Sequence, residues 1–281
     1  MKMTDRRLGS GDGLPALFAH CFLGHGGSWK ALVEALPVPL DVMAPDLPGH
    51  GRSPMPADPG DFHAGVARAL GAVIRRPSLL VGHSFGAASL LRHALHHKQD
   101  VAGLVLIEPV FFAAAAGSDA FAQYRRETEE MEAALQRGRP DQAARLFLAG
   151  NPGSPDFDAL PAPAQSVMAA QMQLVKATDA GLFEDSGNLL APGLMESFDR
   201  PVLIIVGSET APIFPAIQRG LMARLAQAET AEIAGAGHMA PLSHPGAVAA
   251  AIHDWMQRHG LARPAQKALA QKAGAGLQDF A

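Results

Sequence analysis

The chain of 281 residues carries 23 Lys and Arg against 27 Asp and Glu, a net charge of −4, with 48% hydrophobic and 18% charged residues. That length can bury a large core, the composition excludes collagen-like and disordered chains, and the mild negative charge offers no attraction for nucleic acid or an anionic membrane. The single cysteine, Cys21, cannot close an internal disulfide, which points to a cytoplasmic setting. Residues 1–7 lead into Gly and Ser rather than the apolar stretch of a secretion signal, and no run is long enough to span a bilayer.

In chain order, apolar runs at 14–19, 40–44, 79–81 and 101–107 alternate with helical spacing at 29–36, 62–74 and 85–96. Val66, Leu70 and Val73, for example, share one helical face. This alternation predicts a mostly parallel sheet with helices on both faces, an α/β fold. From 113 to 195 the pattern is helical only, at 121–135, 142–148 and 164–176, punctuated by the turn residues at 151–155 and 161–163. A strand pattern returns at 202–206, with Pro201 at the tolerated first position, followed by a helix at 213–225, a strand at 228–233 and a helix at 247–259. The chain therefore divides into a core of 1–112 and 196–260, an inserted helical cap of 113–195, and a peripheral tail of 261–281.

Chemistry concentrates at Gly82-His83-Ser84-Phe85-Gly86, between the apolar run at 79–81 and a helical pattern. A serine on such a strand-to-helix turn is pushed into the open, and the two glycines leave out side chains that would collide there. His238 lies in a glycine-rich loop, 235–241, beyond the last strand pattern. Loops at the carboxyl ends of parallel strands gather at one sheet edge, so His238 can meet Ser84 and accept its proton. Two carboxylates compete to orient His238: Glu108, directly after the strand at 101–107, and Glu209, after the strand at 202–206. The turn at 18–29 aims a backbone N–H, that of Phe22, at a developing oxyanion, with the N–H of Phe85 as second donor.

Other chemical residues read as structure. Asp46, His50 and Arg52 stand among glycines and a proline, as a shaped loop does. His93 and His97 have metal-ligand spacing on a helix without a second group of ligands, and His244 marks a helix start. In the cap and its approach, Phe111, Phe112, Met168, Met172 and Leu174 are candidates to line an apolar pocket.

With those stretches in the order 20–24, 46–53, 82–86 and 235–241, the chain resembles the α/β-hydrolase superfamily over residues 14 to 259. The resemblance implies Ser84 as nucleophile, His238 as base, Phe22 and Phe85 as oxyanion donors, a cap after Glu108, and neither a metal nor an organic cofactor. Two positions depart from it. Cys21 stands where a glycine is usual, and Thr210 stands where the acid is usual. A branch of the superfamily takes its acid from the strand after the elbow helix, which favours Glu108, with Glu209 the runner-up because it is one residue out of step. The expected activity is hydrolysis of a small or medium carboxylic ester with an apolar group through an acyl-serine. Lysophospholipase, thioesterase, lactonase and carbon–carbon bond hydrolase activities are open to the same residues, and a ligand-binding protein with a retained triad is the alternative of another class. The expected partner is a small ester-like molecule, not nucleic acid or an integral membrane site. Serine at 84 disfavours aspartate-nucleophile dehalogenases and epoxide hydrolases.

Overall fold

The computed structural model describes residues 1–9, 11–150 and 154–262. A short β1 (Arg7–Leu8) precedes β2 (Leu14–Ala19), α1 (Lys30–Ala35), β3 (Leu40–Met43) and α2 (Phe62–Gly71). Then follow β4 (Ser78–His83), α3 (Phe85–His96) and β5 (Val101–Ile107). Four helices come before the next strand: α4 (Asp119–Gln136), α5 (Pro140–Ala149), α6 (Ala162–Lys176) and α7 (Asp179–Leu182). The chain continues through β6 (Val202–Gly207), α8 (Ile213–Met222), β7 (Ala228–Ile233), α9 (Ala240–Ser243) and α10 (Pro245–Arg258).

The strands form one sheet in the order β1-β3-β2-β4-β5-β6-β7, with only the β1–β3 pair antiparallel. The predicted α/β architecture holds. Each central strand alternates its side chains between two apolar layers, as the two-residue period of a strand requires. Leu80, Leu104, Leu106 and Ile204 face the layer of α2, α3 and α8. Leu79, Val81, Val105, Ile107, Leu203 and Ile205 face the layer of Phe18, Trp29 and the α10 residues Ile252 and Trp255. The sequence of β7 reads Ala-Glu-Thr-Ala-Glu-Ile, half polar, which suits an edge strand.

The helices between β5 and β6 have a small core of their own. Ala134, Ala143, Ala144, Leu148, Phe157 and Met172 are buried together there, and the alanines let α4 and α5 approach closely. Ser118 caps α4 by accepting the Phe121 N–H at 3.2 Å. A buried tie joins this bundle to the loop after β3: Gln171 Nε2 donates to the carbonyl of Gly49 at 2.8 Å.

Several boundaries differ from the sequence reading. The strand β1 is two residues long and carries no apolar pattern to detect. Helix α2 stops at Gly71, and Val73 and Ile74 continue in tighter turns bonded to Leu70 and Gly71. Such a turn keeps the apolar spacing of a helix, so the pattern extended too far. The turn at 151–153 and the tail beyond 262 lie outside the described residues; Leu261 and Ala262 pack against the α10 layer. Among the described residues, no helix is long and apolar enough to cross a membrane.

Phe18 tests the layer against α10: it is wholly buried and meets Trp29 edge-on with ring centroids 5.2 Å apart. Phe18→Ala is expected to lower the unfolding free energy by about 3–5 kcal/mol in a denaturant titration, and a loss below about 1 kcal/mol would show that this layer collapses around the gap.

Candidate active site

Strand β4 ends at His83 and α3 begins at Phe85, so Ser84 alone makes the turn. It does so at φ 54° and ψ −118°, a conformation that costs a residue with a side chain about 1–3 kcal/mol. Close packing imposes it. A Cβ on Gly82 would lie 2.4 Å from Cα of Ala87, and one on Gly86 would lie 2.1 Å from the carbonyl oxygen of Ala19. The Ser84 N–H donates to the Ile107 carbonyl at 2.9 Å, tying the turn to β5.

Around this turn the fold gathers residues from four loops. Nε2 of His238 is 3.0 Å from Ser84 Oγ, and its Nδ1 is 3.3 Å from Oε2 of Glu108. Glu108 is wholly buried and has φ 48°. Its Oε1 accepts the Gly207 N–H at 2.6 Å, and its Oε2 accepts the Thr210 hydroxyl at 2.6 Å. Glu209, in contrast, is exposed, and its N–H is turned to the Ala236 carbonyl at 2.9 Å. Of the two carboxylates, Glu108 is the one beside the imidazole.

His238 is held on further sides. His83 Nε2 donates to the backbone carbonyl of His238 at 2.7 Å, and the Phe214 ring stacks on the imidazole at 4.5 Å. Burial pushes the His83 ring down to about 3, so it stays neutral and keeps that donor.

The turn expected to hold an oxyanion is braced from beneath. His20 links it to the Asp46 loop, with Nδ1 donating to the Cys21 carbonyl at 2.7 Å and Nε2 accepting the Leu47 N–H at 2.9 Å. Burial holds His20 at about 3, which preserves this donor–acceptor pair. Asp46 accepts the N–H groups of Gly26 at 2.7 Å and Arg52 at 3.0 Å. Burial alone would raise the Asp46 carboxyl, but those two N–H groups and the Arg6 charge outweigh it and hold it low. His50 donates to the Pro48 carbonyl at 2.9 Å. Cys21 is buried, and its thiol is pushed up to about 12 by burial, so it fills space under the turn as an unreactive group. The Phe22 ring lies 4.5 Å from that of Phe85. The Phe85 N–H belongs to the first turn of α3, where helix carbonyls leave amides unpaired.

Two clefts meet at Ser84 and His238. One, of about 850 Å³ with its open mouth included, is walled by Phe22, Val110, Phe112, Tyr124, Met131, Leu146, Phe147, Val175, Leu182 and Phe183. Stacked rings line part of it, with Phe112 4.4 Å from Phe183 and 4.6 Å from Tyr124. Its ionisable lining, apart from His238 and Tyr124, is acidic: Glu127, Glu132 and Asp179. The second cleft, of about 750 Å³, runs between the 21–28 turn and Met168, Met239 and Leu242.

Three candidate pocket residues are placed elsewhere. Phe111 is wholly buried, because successive residues after β5 point opposite ways and Val110 and Phe112 take the cleft side. Met172 is wholly buried in the core of the inserted helices, one turn past the cleft-lining Met168, and Leu174 is likewise buried, against Gly49. His93 turns from metal ligation to a bond with Asp100 at 2.9 Å, and its ring stacks on His97. Among the described residues, no group of three or more His, Cys, Asp or Glu is arranged to hold a metal ion. Tyr124, Phe183, Phe214 and Thr210 had no local signature, because each acquires its place only when separate helices and loops converge.

Comparison with known proteins agrees with this architecture. The profile of the alpha/beta hydrolase family matches residues 16–251. A lipase of Mycobacterium tuberculosis is 39% identical over 108 residues, 37% of this chain and 40% of the lipase, so the chain spans less than half of that relative's length. A pimeloyl-[acyl-carrier protein] methyl ester esterase of Neisseria meningitidis is 28% identical over 87% of this chain and 78% of its own. Among solved structures, a haloalkane dehalogenase from Bradyrhizobium elkani superposes with TM-score 0.69 at 22% identity, covering 93% of this chain and 96% of its own. An esterase from Thermogutta terrifontis gives TM-score 0.62 at 24% identity over 92% and 93% of the two chains. Both likenesses are likenesses of fold.

The buried histidines set a pH window for stability. Burial lowers His20 and His83 to about 3 and His50 and His63 to about 4, below the unfolded value near 6.5. Between those values the unfolded chain binds more protons, so stability is complete above about pH 6.5 and is lost as pH falls, by about 1.4 kcal/mol per pH unit for each histidine. Thermal unfolding is expected to show a Tm flat from about pH 8 to 6.5 and falling steeply below it; a flat profile down to about pH 5 would contradict neutral burial.

Proposed function

The chain belongs to the alpha/beta hydrolase family, and on that premise we propose that it is a serine hydrolase that cleaves a carboxylic ester through an acyl-Ser84 intermediate. The observation that carries this reading is the continuous chain from Ser84 Oγ through His238 to Glu108, at 3.0 Å and 3.3 Å, on the floor of an apolar cleft. In this mechanism Nε2 of His238 takes the Ser84 proton as Oγ attacks the ester carbon. The N–H groups of Phe22 and Phe85 receive the oxyanion. The proton then passes from His238 to the departing alkoxide, which leaves as an alcohol. Water attacks the acyl-enzyme with His238 again as base, and the acid departs. Glu108 accepts from Nδ1–H, orienting the imidazole and stabilising the imidazolium.

The inserted helices, taken as a cap over 113–195, choose the substrate. Phe112, Leu182, Phe183 and Val175 suit an apolar chain, while Glu127 opposes a negatively charged end. Lys176 reaches Glu132 at 3.3 Å and Asp179 at 2.6 Å, which leaves Glu127 facing the cleft without that cation. The methyl ester of a pimeloyl group on acyl-carrier protein, the substrate named for the Neisseria relatives, is the second reading, favoured by 28% identity across 87% of this chain. The lone buried Cys21 supports a reducing, cytoplasmic setting.

Ser84→Ala is expected to abolish both hydrolysis of p-nitrophenyl butyrate and labelling by a fluorophosphonate. Glu108→Gln should lower kcat by about 10³–10⁴-fold, as loss of the orienting acid does in other triads, with Glu209→Gln near wild type. The reverse ranking of the two glutamates would reassign the acid. A wild-type protein that resists the fluorophosphonate and turns over no ester would instead point to a binding protein.

Chain-end charge gives a separate test. Like charges about 8 Å apart at an effective dielectric of about 20 repel by about 2 kcal/mol. Discounted for the open mouth, this predicts a kcat/KM about tenfold higher for a neutral octanoyl ester than for one of equal length ending in a carboxylate. Equal values would remove Glu127 from substrate choice.

A further inference from the structure

Thr210 stands on the loop from β6 to α8, and its side chain points back at β5. Its hydroxyl donates at 2.6 Å to Oε2 of Glu108, the same oxygen that faces Nδ1 of His238 at 3.3 Å. The other oxygen, Oε1, is taken by the Gly207 N–H at 2.6 Å. The buried carboxylate is therefore gripped at both oxygens by groups from the end of β6, and Oε2 divides its two lone pairs between a threonine and the imidazole.

That division has an electrostatic consequence. A donor bonded to a carboxylate stabilises its charge and draws electron density from it, so less remains to attract a neighbouring imidazolium. The titratable groups that face His238 are Glu108 from the end of β5 and His83 from the end of β4, whose ring is 5.1 Å away and neutral; Phe214 of α8 covers another face. Among the described residues, no Lys or Arg forms an ion pair with Glu108 or His238, so the Thr210 and Gly207 donors are what balance the carboxylate.

We propose that Thr210 is a positioning residue for ester hydrolysis: its hydroxyl directs Oε2 of Glu108 toward His238 and restrains how strongly that carboxylate favours the protonated imidazole. This inference rests on the Ser84–His238–Glu108 reading above. With the hydroxyl present, part of the Oε2 electron density is engaged away from the imidazole. Without it, the carboxylate carries more charge for the imidazole and fewer bonds to fix its direction.

The test is the pH dependence of p-nitrophenyl butyrate hydrolysis by wild type, Thr210→Val and Thr210→Ser, with thermal unfolding measured alongside. Thr210→Val should lower plateau kcat about tenfold with KM within about twofold, the loss expected for one hydrogen bond to a charged group. It should also move the acid limb of the kcat/KM profile upward by about half a pH unit or more. Thr210→Ser, which keeps the hydroxyl, should restore both. If Thr210→Val does not fold, Thr210→Ala removes the same hydroxyl and is held to the same result. An unmoved acid limb in the active hydroxyl-less variant overturns the inference even if its Tm falls, as does a Ser variant that fails to restore it. A wild type with no turnover and no fluorophosphonate adduct at Ser84 overturns the triad reading and this inference together.

Discussion

The backbone at Ser84 is the constraint on which the other features depend. A serine at φ 54° persists only where its surroundings leave no relaxed alternative, and here the surroundings are backbone contacts too close for an added methyl group. Gly82 lies against Ala87 and Gly86 lies against the Ala19 carbonyl, so α3 is pressed onto β2 and β4 with no room for a methyl group. The apolar layers on both sides of the sheet maintain that pressure. Strain at the one residue is thus borne by the whole packed sheet, and the hydroxyl is delivered to the sheet's edge with little freedom to turn away.

A second strained position answers the first. Glu108 also has positive φ, and it follows the strand that pairs with β4. Parallel pairing places the ends of β4, β5 and β6 side by side, so Ser84, Glu108 and the Gly207–Thr210 segment leave the sheet at one level. The buried carboxylate would be costly on its own, and it is matched by two short hydrogen bonds, from the end of β6 and from the loop after it, and by the imidazole. His20 and His83 do comparable work with neutral rings, each donating from one nitrogen in a place where a charge would be expelled.

Much of this was legible in the sequence, for identifiable reasons. Strands such as Val202–Gly207, buried on both faces, read as unbroken apolar runs, and the turn after β4 announces itself by two glycines around a serine. Alternation leaves two carboxylates, Glu108 and Glu209, at strand ends near His238, and the preference for Glu108 comes from the family resemblance; the juxtaposition itself follows from the strand order of the sheet. The cleft wall was not legible. Phe111 and Phe112 are neighbours with opposite fates, and Met168 and Met172 sit one turn apart yet divide between cleft and core. What separates them is which side each turns to the neighbouring helices once the segments pack, a tertiary quantity that periodicity does not contain. Thr210 shows the same limit. Its residue type excluded it as an acid, while its service to the acid required the distance between two loops.

The inserted helices begin and end on strands that are already paired to each other, since Leu104 through Ile107 lie in register with Val202 through Ile205. The sheet, not the insertion, brings the two ends together. Closing a longer segment between fixed points adds only about 0.6 kcal/mol for each doubling of its length. Segments of different size and shape are therefore interchangeable at this junction at small entropic expense, provided that each supplies its own small core as Ala134, Ala143, Leu148 and Met172 do here. Substrate range and sheet stability are separable properties in such a design, free to diverge along different histories while the three loop ends beneath stay where the strands put them.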